Sequence, residues 1–317
     1  MRTPYTVRPM RMPRSLIVSV CASVALALPS AAFPCSCGCG VFDVGSVSMS
    51  AGDVGLTTFV EYDYMDQNKN WRGSSDAPPG DNEDKRIATD FTTIGLRYVL
   101  DRDWGFSVEV PYWRRTFRTT DEDSGEIQTY THQALGDVRL RATYSGFAAD
   151  RSTGVTVGLK LPTGDDSYEH FDPDTQIGSG STDVIVGAYH RGSIDSLGRY
   201  GWFVDGQWQQ PVEHKHSYRP GAEFDSVAGV SYLGWMVDTV RISPLLQIKA
   251  IYRDNDGGSA SDPDNTGYTR VLINPGVAVA AGSFNVHADV GIPLYTHTHG
   301  DQLVAPTLWS LNVGYRF

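Results

Sequence analysis

Residues 55–64 read GLTTFVEYDY. Leu56, Thr58, Val60, Tyr62 and Tyr64 share one face of an extended chain, while Thr57, Phe59, Glu61 and Asp63 share the other, because successive side chains of a strand point opposite ways. One face is apolar or aromatic along its length, and the other carries two carboxylates. The same period of two returns near 93–100, 106–112, 137–144, 155–161, 183–190, 201–209, 223–233, 239–252, 268–280, 283–294 and 306–317. Twelve such stretches predict an all-β chain.

Alternation alone also suits a soluble sandwich, which buries one face and wets the other. The connections favour a cylinder in lipid. Those after the second, eighth and tenth stretches are short (101–103, 234–237, 281–282), whereas those after odd stretches are mostly long and polar. Short turns alternating with long loops are the pattern of a transmembrane antiparallel up-and-down β-barrel, here of twelve strands over 54–317. Aromatic residues gather toward strand ends (Tyr62, Tyr64, Tyr98, Trp104, Tyr112, Tyr144, Trp202, Trp208, Tyr252, Tyr315), as expected of interfacial girdles, although strands in general attract aromatics. The final strand ends on Phe317, which resembles the signal read by the barrel-assembly machinery.

The first 32 residues join Arg2, Arg8, Arg11 and Arg14 to an apolar run from Leu16 to Leu28 and the small residues Ser30, Ala31 and Ala32. This is the layout of a secretory signal peptide cleaved after Ala32. The run is too short for a spanning helix, which needs about 20 apolar residues. Val20 before Cys21 and Pro34 before Cys35 fit lipoprotein processing poorly. Without its four arginines, the chain keeps 22 of its 26 Lys and Arg against 37 Asp and Glu, a net charge of about −15 that excludes nucleic acid as a partner. The expected location is the outer membrane, with lipid, lipopolysaccharide and a small solute as partners.

Residues 136–144 (GDVRLRATY), 157–167 (VGLKLPTGDDS) and 178–190 (GSGSTDVIVGAYH), preceded by FSVEVPYWRR at 106–115, resemble the bacterial outer-membrane transporter family associated with the phenol-degradation meta-pathway. The resemblance covers about half the mature chain. It implies a barrel with a transport role and says little about phenol. The segment 33–53, with its CSCGCG, lies outside the shared pattern.

Three groups of residues invite chemistry. The polar faces present Glu61, Asp63, Arg97, Glu109, Asp137, Arg139, Arg141, Lys160, Asp183, Asp205, Arg241, Lys249, His287, Asp289 and Arg316 to the lumen. Buried charges must pair or border water, so these form either a ladder of salt bridges or the wall of a hydrated pore. Cys35, Cys37 and Cys39 follow the cleavage site in a periplasmic segment. Thiolates so spaced suit Cu(I) or Zn(II), and in an oxidising periplasm they equally suit a disulfide, with one left unpaired. His214 with His216, and His297 with His299, sit in outer loops, where imidazoles bind a metal ion if the loops converge and are otherwise dispersed surface groups.

No G-x-S-x-G elbow, H-E-x-x-H helix, P-loop, G-x-G-x-x-G turn or C-x-x-C-H occurs, so the chain reads as a non-enzyme without an organic cofactor. The leading expectation is a channel for a small solute lined by paired charges. The alternative is a periplasm-facing metal-binding or partner-docking barrel that works through its CxCxC segment.

Overall fold

The computed structural model describes residues 54–101, 103–121 and 124–317. The signal peptide, the segment 33–53 and its cysteines lie outside them. The described chain is an all-β, closed antiparallel barrel of twelve strands. They are β1 (Gly55–Gln67), β2 (Asp84–Val99), β3 (Trp104–Thr120), β4 (Ile127–Leu135 and Arg139–Tyr144), β5 (Thr153–Lys160), β6 (Ser181–Ser193), β7 (Tyr200–His214), β8 (Glu223–Tyr232), β9 (Val240–Arg253), β10 (Tyr268–Ala281), β11 (Phe284–Val304) and β12 (Leu308–Arg316). Each pairs with its sequence neighbours, and β12 returns to pair with β1 from Thr57↔Arg316 to Met65↔Leu308. Closure leaves no sheet edge within the cylinder, the condition for a β-structure in hydrocarbon.

The outward face is apolar. Val60, Ile94, Leu96, Val108, Val157, Val186, Ile248 and Leu311 are each exposed, as lipid-facing groups are. Two aromatic rings bound this band. Near the short turns, Trp104 packs on Tyr144 at 5.0 Å, Tyr200 on Tyr232 at 5.4 Å and Phe284 on Tyr315 at 4.9 Å. Toward the long loops lie Tyr62, Tyr112, Trp208, Phe224 and Tyr252, and beyond them Arg114 and Asp90 face outward.

Several strands run past this boundary. β2, β3 and β11 extend well beyond the sequence-expected stretches, and a ribbon of Lys69–Gly73 with Ser75–Asp76 pairs onto β11. Above Tyr112 the apolar parity reverses: Trp113 and Phe117 point inward. Three irregularities in the ladder fall at prolines, which lack the N–H a ladder needs. β4 breaks at 136–138 opposite Pro111, whose carbonyl accepts from Gly136 N at 2.9 Å, and registers slip beside Pro211 and Pro293.

Inside, near the short turns, aromatic rings lie over cross-strand glycines: Phe59 over Gly95, Tyr189 over Gly154 and Phe203 over Gly229. A Cβ on Gly95 would come within 2.0 Å of the Phe59 ring. Gly95→Ala is therefore expected to destabilise the barrel by about 1–3 kcal/mol through overpacking. Urea unfolding in lipid vesicles measures this, and the double variant Phe59→Ala/Gly95→Ala should lose less than the sum of its parts.

Candidate functional site

The inward face of the barrel carries its charges on neighbouring strands. β3, β4, β5 and β6 place Glu109, Arg139, Lys160 and Asp183 as successive cross-strand partners. Lys160 Nζ lies 2.7 Å from Asp183 Oδ2 and 3.8 Å from Asp137 Oδ2, all three buried. Arg141 pairs with Glu109. Asp183 also accepts from Ser181 Oγ at 2.6 Å and Gln209 Nε2 at 2.7 Å. On the far wall Asn312 Nδ2 donates to Glu61 Oε2 at 2.9 Å, Asn274 Nδ2 donates to Asp289 Oδ1 at 2.6 Å, and His287 Nε2 stands 3.5 Å from Asp289. Asp63, Asp205 and Lys249 are buried, Lys249 within electrostatic reach of Asp63 and His287. Arg241 and Arg316 are exposed at the short-turn end.

Asp137 does something its position in the sequence does not suggest. It sits in the break of β4 and accepts hydrogen bonds from Gly164 N (3.0 Å), Ser179 N (2.9 Å) and Ser179 Oγ (2.5 Å). Those donors are the two sides of the neck of loop 161–180, joining β5 to β6. The neck is narrow because Gly164 and Gly178 touch backbone to backbone; a Cβ on Gly178 would lie 2.4 Å from Gly164 C. Gly178 N donates to Asp165 O at 2.7 Å. The three sequence words 136–144, 157–167 and 178–190 thus meet in one knot.

Beyond its neck the loop enters the lumen. Ile177 packs among Met65, Phe91, Trp113, Ile251, Tyr268, Leu272, Ala305 and Leu308, an apolar layer drawn from β1, β2, β3, β9, β10 and β12. Phe171 joins Ile87, Phe117 and Leu303. Arg115, wholly buried, fastens the loop from below: Nε donates to Thr89 Oγ1 at 3.0 Å, and Nη1 donates to Thr175 O and to Gln176 O, the latter at 3.0 Å. Outside the membrane band, His132 stacks on Tyr168 at 4.1 Å and Tyr130 on His170 at 4.4 Å. The hydrogen bond between His132 Nε2 and Asp165 Oδ2, 2.8 Å long, holds the Asp165 carboxyl below the usual carboxylate range.

Beside the loop lies a cavity of about 80 Å³ to which Trp113 and Ile177 also contribute. Asp137, Arg139, Lys160, Gln209, Glu223 and Arg253 line it, with Ser179, Asp174 and Tyr218 above. A second cavity of about 250 Å³, open toward the long loops, shares Gln176, Ser179 and Tyr218 with the first. Burial and the neighbouring Asp172 and Asp256 push the Asp174 carboxyl well above its ordinary range. Tyr218 donates to Asp256 Oδ2 at 2.8 Å, and burial beside that carboxylate pushes its phenol up as well.

The outer histidines do not converge. His214, His216, His297 and His299 are exposed on different segments; His216 lies 3.7 Å from Asp166, and His297 Nδ1 lies 2.9 Å from Ser74 Oγ. Among the described residues no group of three or more His, Cys, Asp and Glu side chains is placed to hold a metal ion. Residues that sequence reasoning missed are Trp113, Arg115, Ile177, Tyr218, Glu223 and Arg253. A change of apolar parity past Tyr112 marks Trp113, whereas Ile177 and Tyr218 lie in loops and carry no such signal.

The fold is shared by solved outer-membrane barrels. The COG4313 outer membrane channel from Pseudomonas putida F1 superposes with a TM-score of 0.61 at 14% identity, covering 84% of this chain and 96% of that one. The beta domain of the Bordetella autotransporter BrkA gives 0.50 at 10% identity, covering 84% and 100%. No family model and no curated protein matches the sequence, so the phenol-pathway resemblance rests on its sequence words alone.

Removing the carboxylate that ties the neck should loosen the loop while the barrel stays closed. In Asp137→Ala the amides of Gly164 and Ser179 are expected to exchange at least tenfold faster, since each bond to a charged acceptor contributes about 1.5–3 kcal/mol. Hydrogen-exchange mass spectrometry on folded protein reads this directly, and unchanged protection would show that Asp137 does not hold the neck.

Proposed function

We propose that this chain is an outer-membrane channel for a small polar solute, with loop 161–180 as its constriction. The observation that carries the reading is the division of the lumen: Ile177 and Phe171 dock in apolar clusters, while beside the loop two cavities share Gln176, Ser179 and Tyr218, and the inner one is bordered by the charged groups Asp137, Arg139, Lys160, Glu223 and Arg253. A filled barrel would need no such inequality. A solute on the polar side meets hydrogen-bonding groups of both signs, which replace its hydration as it passes. It also meets charges partnered by other wall residues, such as Lys160 with Asp183 and Arg141 with Glu109.

The outer-membrane setting follows from the closed cylinder, its apolar outer band and its two aromatic rings, features that together serve no purpose in water. By the same logic the short turns face the periplasm and the long loops face outward. The solute then enters beside Tyr218 and Ser179 and leaves past Arg139 and Arg141.

The neck geometry gives a clean test. Because Asp165 and Gly178 are already hydrogen bonded, residues 166–177 can be replaced by two glycines without straining β5 or β6. In planar bilayers the native chain should give small discrete conductance steps and the shortened chain steps several-fold larger. A shortened barrel that inserts yet passes no current would overturn the proposal.

A further inference from the structure

Near the periplasmic mouth one ladder of inward positions reads Arg316 (β12), Thr57 (β1), Arg97 (β2), Ser107 (β3), Arg141 (β4) and Gly158 (β5). Arginines alternate with small residues, so successive arginine positions stand two strands, about 10 Å, apart. The small residues are what makes room. A Cβ on Gly158, for instance, would lie 3.0 Å from Arg141 Cγ. The next ladder inward adds Arg139 and Lys160.

The acids that reach this wall are Glu109, Glu61, Asp205, Asp137 and Asp183, and most of them also have other partners. Glu109 alone lies within electrostatic reach of Arg97, Arg139 and Arg141, and its direct partner is Arg141. Lys160 is taken by Asp183. Glu61, the next acid toward Arg97, accepts from Asn312, and Asp205 stands across from Arg141. Arg97 makes no direct hydrogen bond or ion pair among the described residues; it is half-buried, with its guanidinium 5.8 Å over the Phe59 ring. Arg141, also buried, leaves Nε and Nη2 without a partner. In a chain whose formal net charge is −11, three arginines at alternate positions of one ladder, Arg316, Arg97 and Arg141, are a local concentration of guanidiniums.

We propose that this arginine ladder is a binding site for a small carboxylate-bearing anion, with Arg97 as its accessible guanidinium. A guanidinium offers a planar fork that matches a carboxylate, and a cation is repelled by the same wall. The proposal takes its route from the channel reading and its chemistry from the ladder alone. It makes the solute an organic acid rather than a neutral polyol or an amine.

The test compares the full-length chain with Arg97→Gln and Arg97→Lys. Under a KCl gradient the native channel should favour chloride over potassium. Arg97→Gln should lower that ratio about fivefold, the effect of one unit charge about 4 Å from the ion in water, and Arg97→Lys should restore most of it. An unchanged ratio in Arg97→Gln would overturn the site. Carbon-13 acetate in detergent supplies the second readout: its line should broaden with native protein and sharpen with Arg97→Gln. If the barrel is silent but acetate binding depends on Arg97, the channel reading fails and the site stands. Acetate binding that ignores Arg97, with or without current, removes the site.

Discussion

Every backbone N–H and C=O that enters hydrocarbon must find a partner within the protein, and a sheet meets that demand only by closing on itself. The pairing of β1 with β12 is therefore the interaction on which the rest depends. Once the cylinder closes, side-chain alternation sorts each strand into a lipid face and an enclosed face. The enclosed face then sets the chemistry. Charge on it is tolerable only where it is paired or wet. Lys160 with Asp183, and Arg141 with Glu109, are paired; the cavity beside Ser179 and Gln209 provides room for water.

The barrel also has to limit what passes. In the proposed channel loop 161–180 would do this by splitting its own character. Ile177 and Phe171 are apolar and dock on apolar residues exposed only inside the lumen, while the backbone around Thr175 and Gln176 receives Arg115. Asp137 ties the two sides of the loop's base. A constriction anchored at its neck and held by side-chain contacts at its tip can loosen without unfolding a strand.

Much of this was legible in the sequence, for a physical reason. A lipid-facing strand must keep an unbroken period of two, so all twelve strands announce themselves wherever they cross the apolar band. The outer ends of β2, β3 and β11 stand beyond lipid, where no such demand operates, and their lengths could not be read. The break in β4 required knowing that Pro111 lies opposite. The inserted loop was harder still. Residues 161–180 look polar, and Phe171 and Ile177 have no period; their partners Met65 and Leu272 are remote in the chain. Asp137 was expected as one lumen charge among many, and only the fold shows that its neighbours are the two sides of a loop neck.

The most direct test of the account is a spin-label scan through residues 93–98 of the chain reconstituted in lipid bilayers. Labels at 94, 96 and 98 should collide freely with dissolved oxygen, which concentrates in hydrocarbon, while labels at 93, 95 and 97 should be shielded from it. Equal oxygen and water accessibility at both sets of positions would contradict a closed cylinder with its apolar face in lipid.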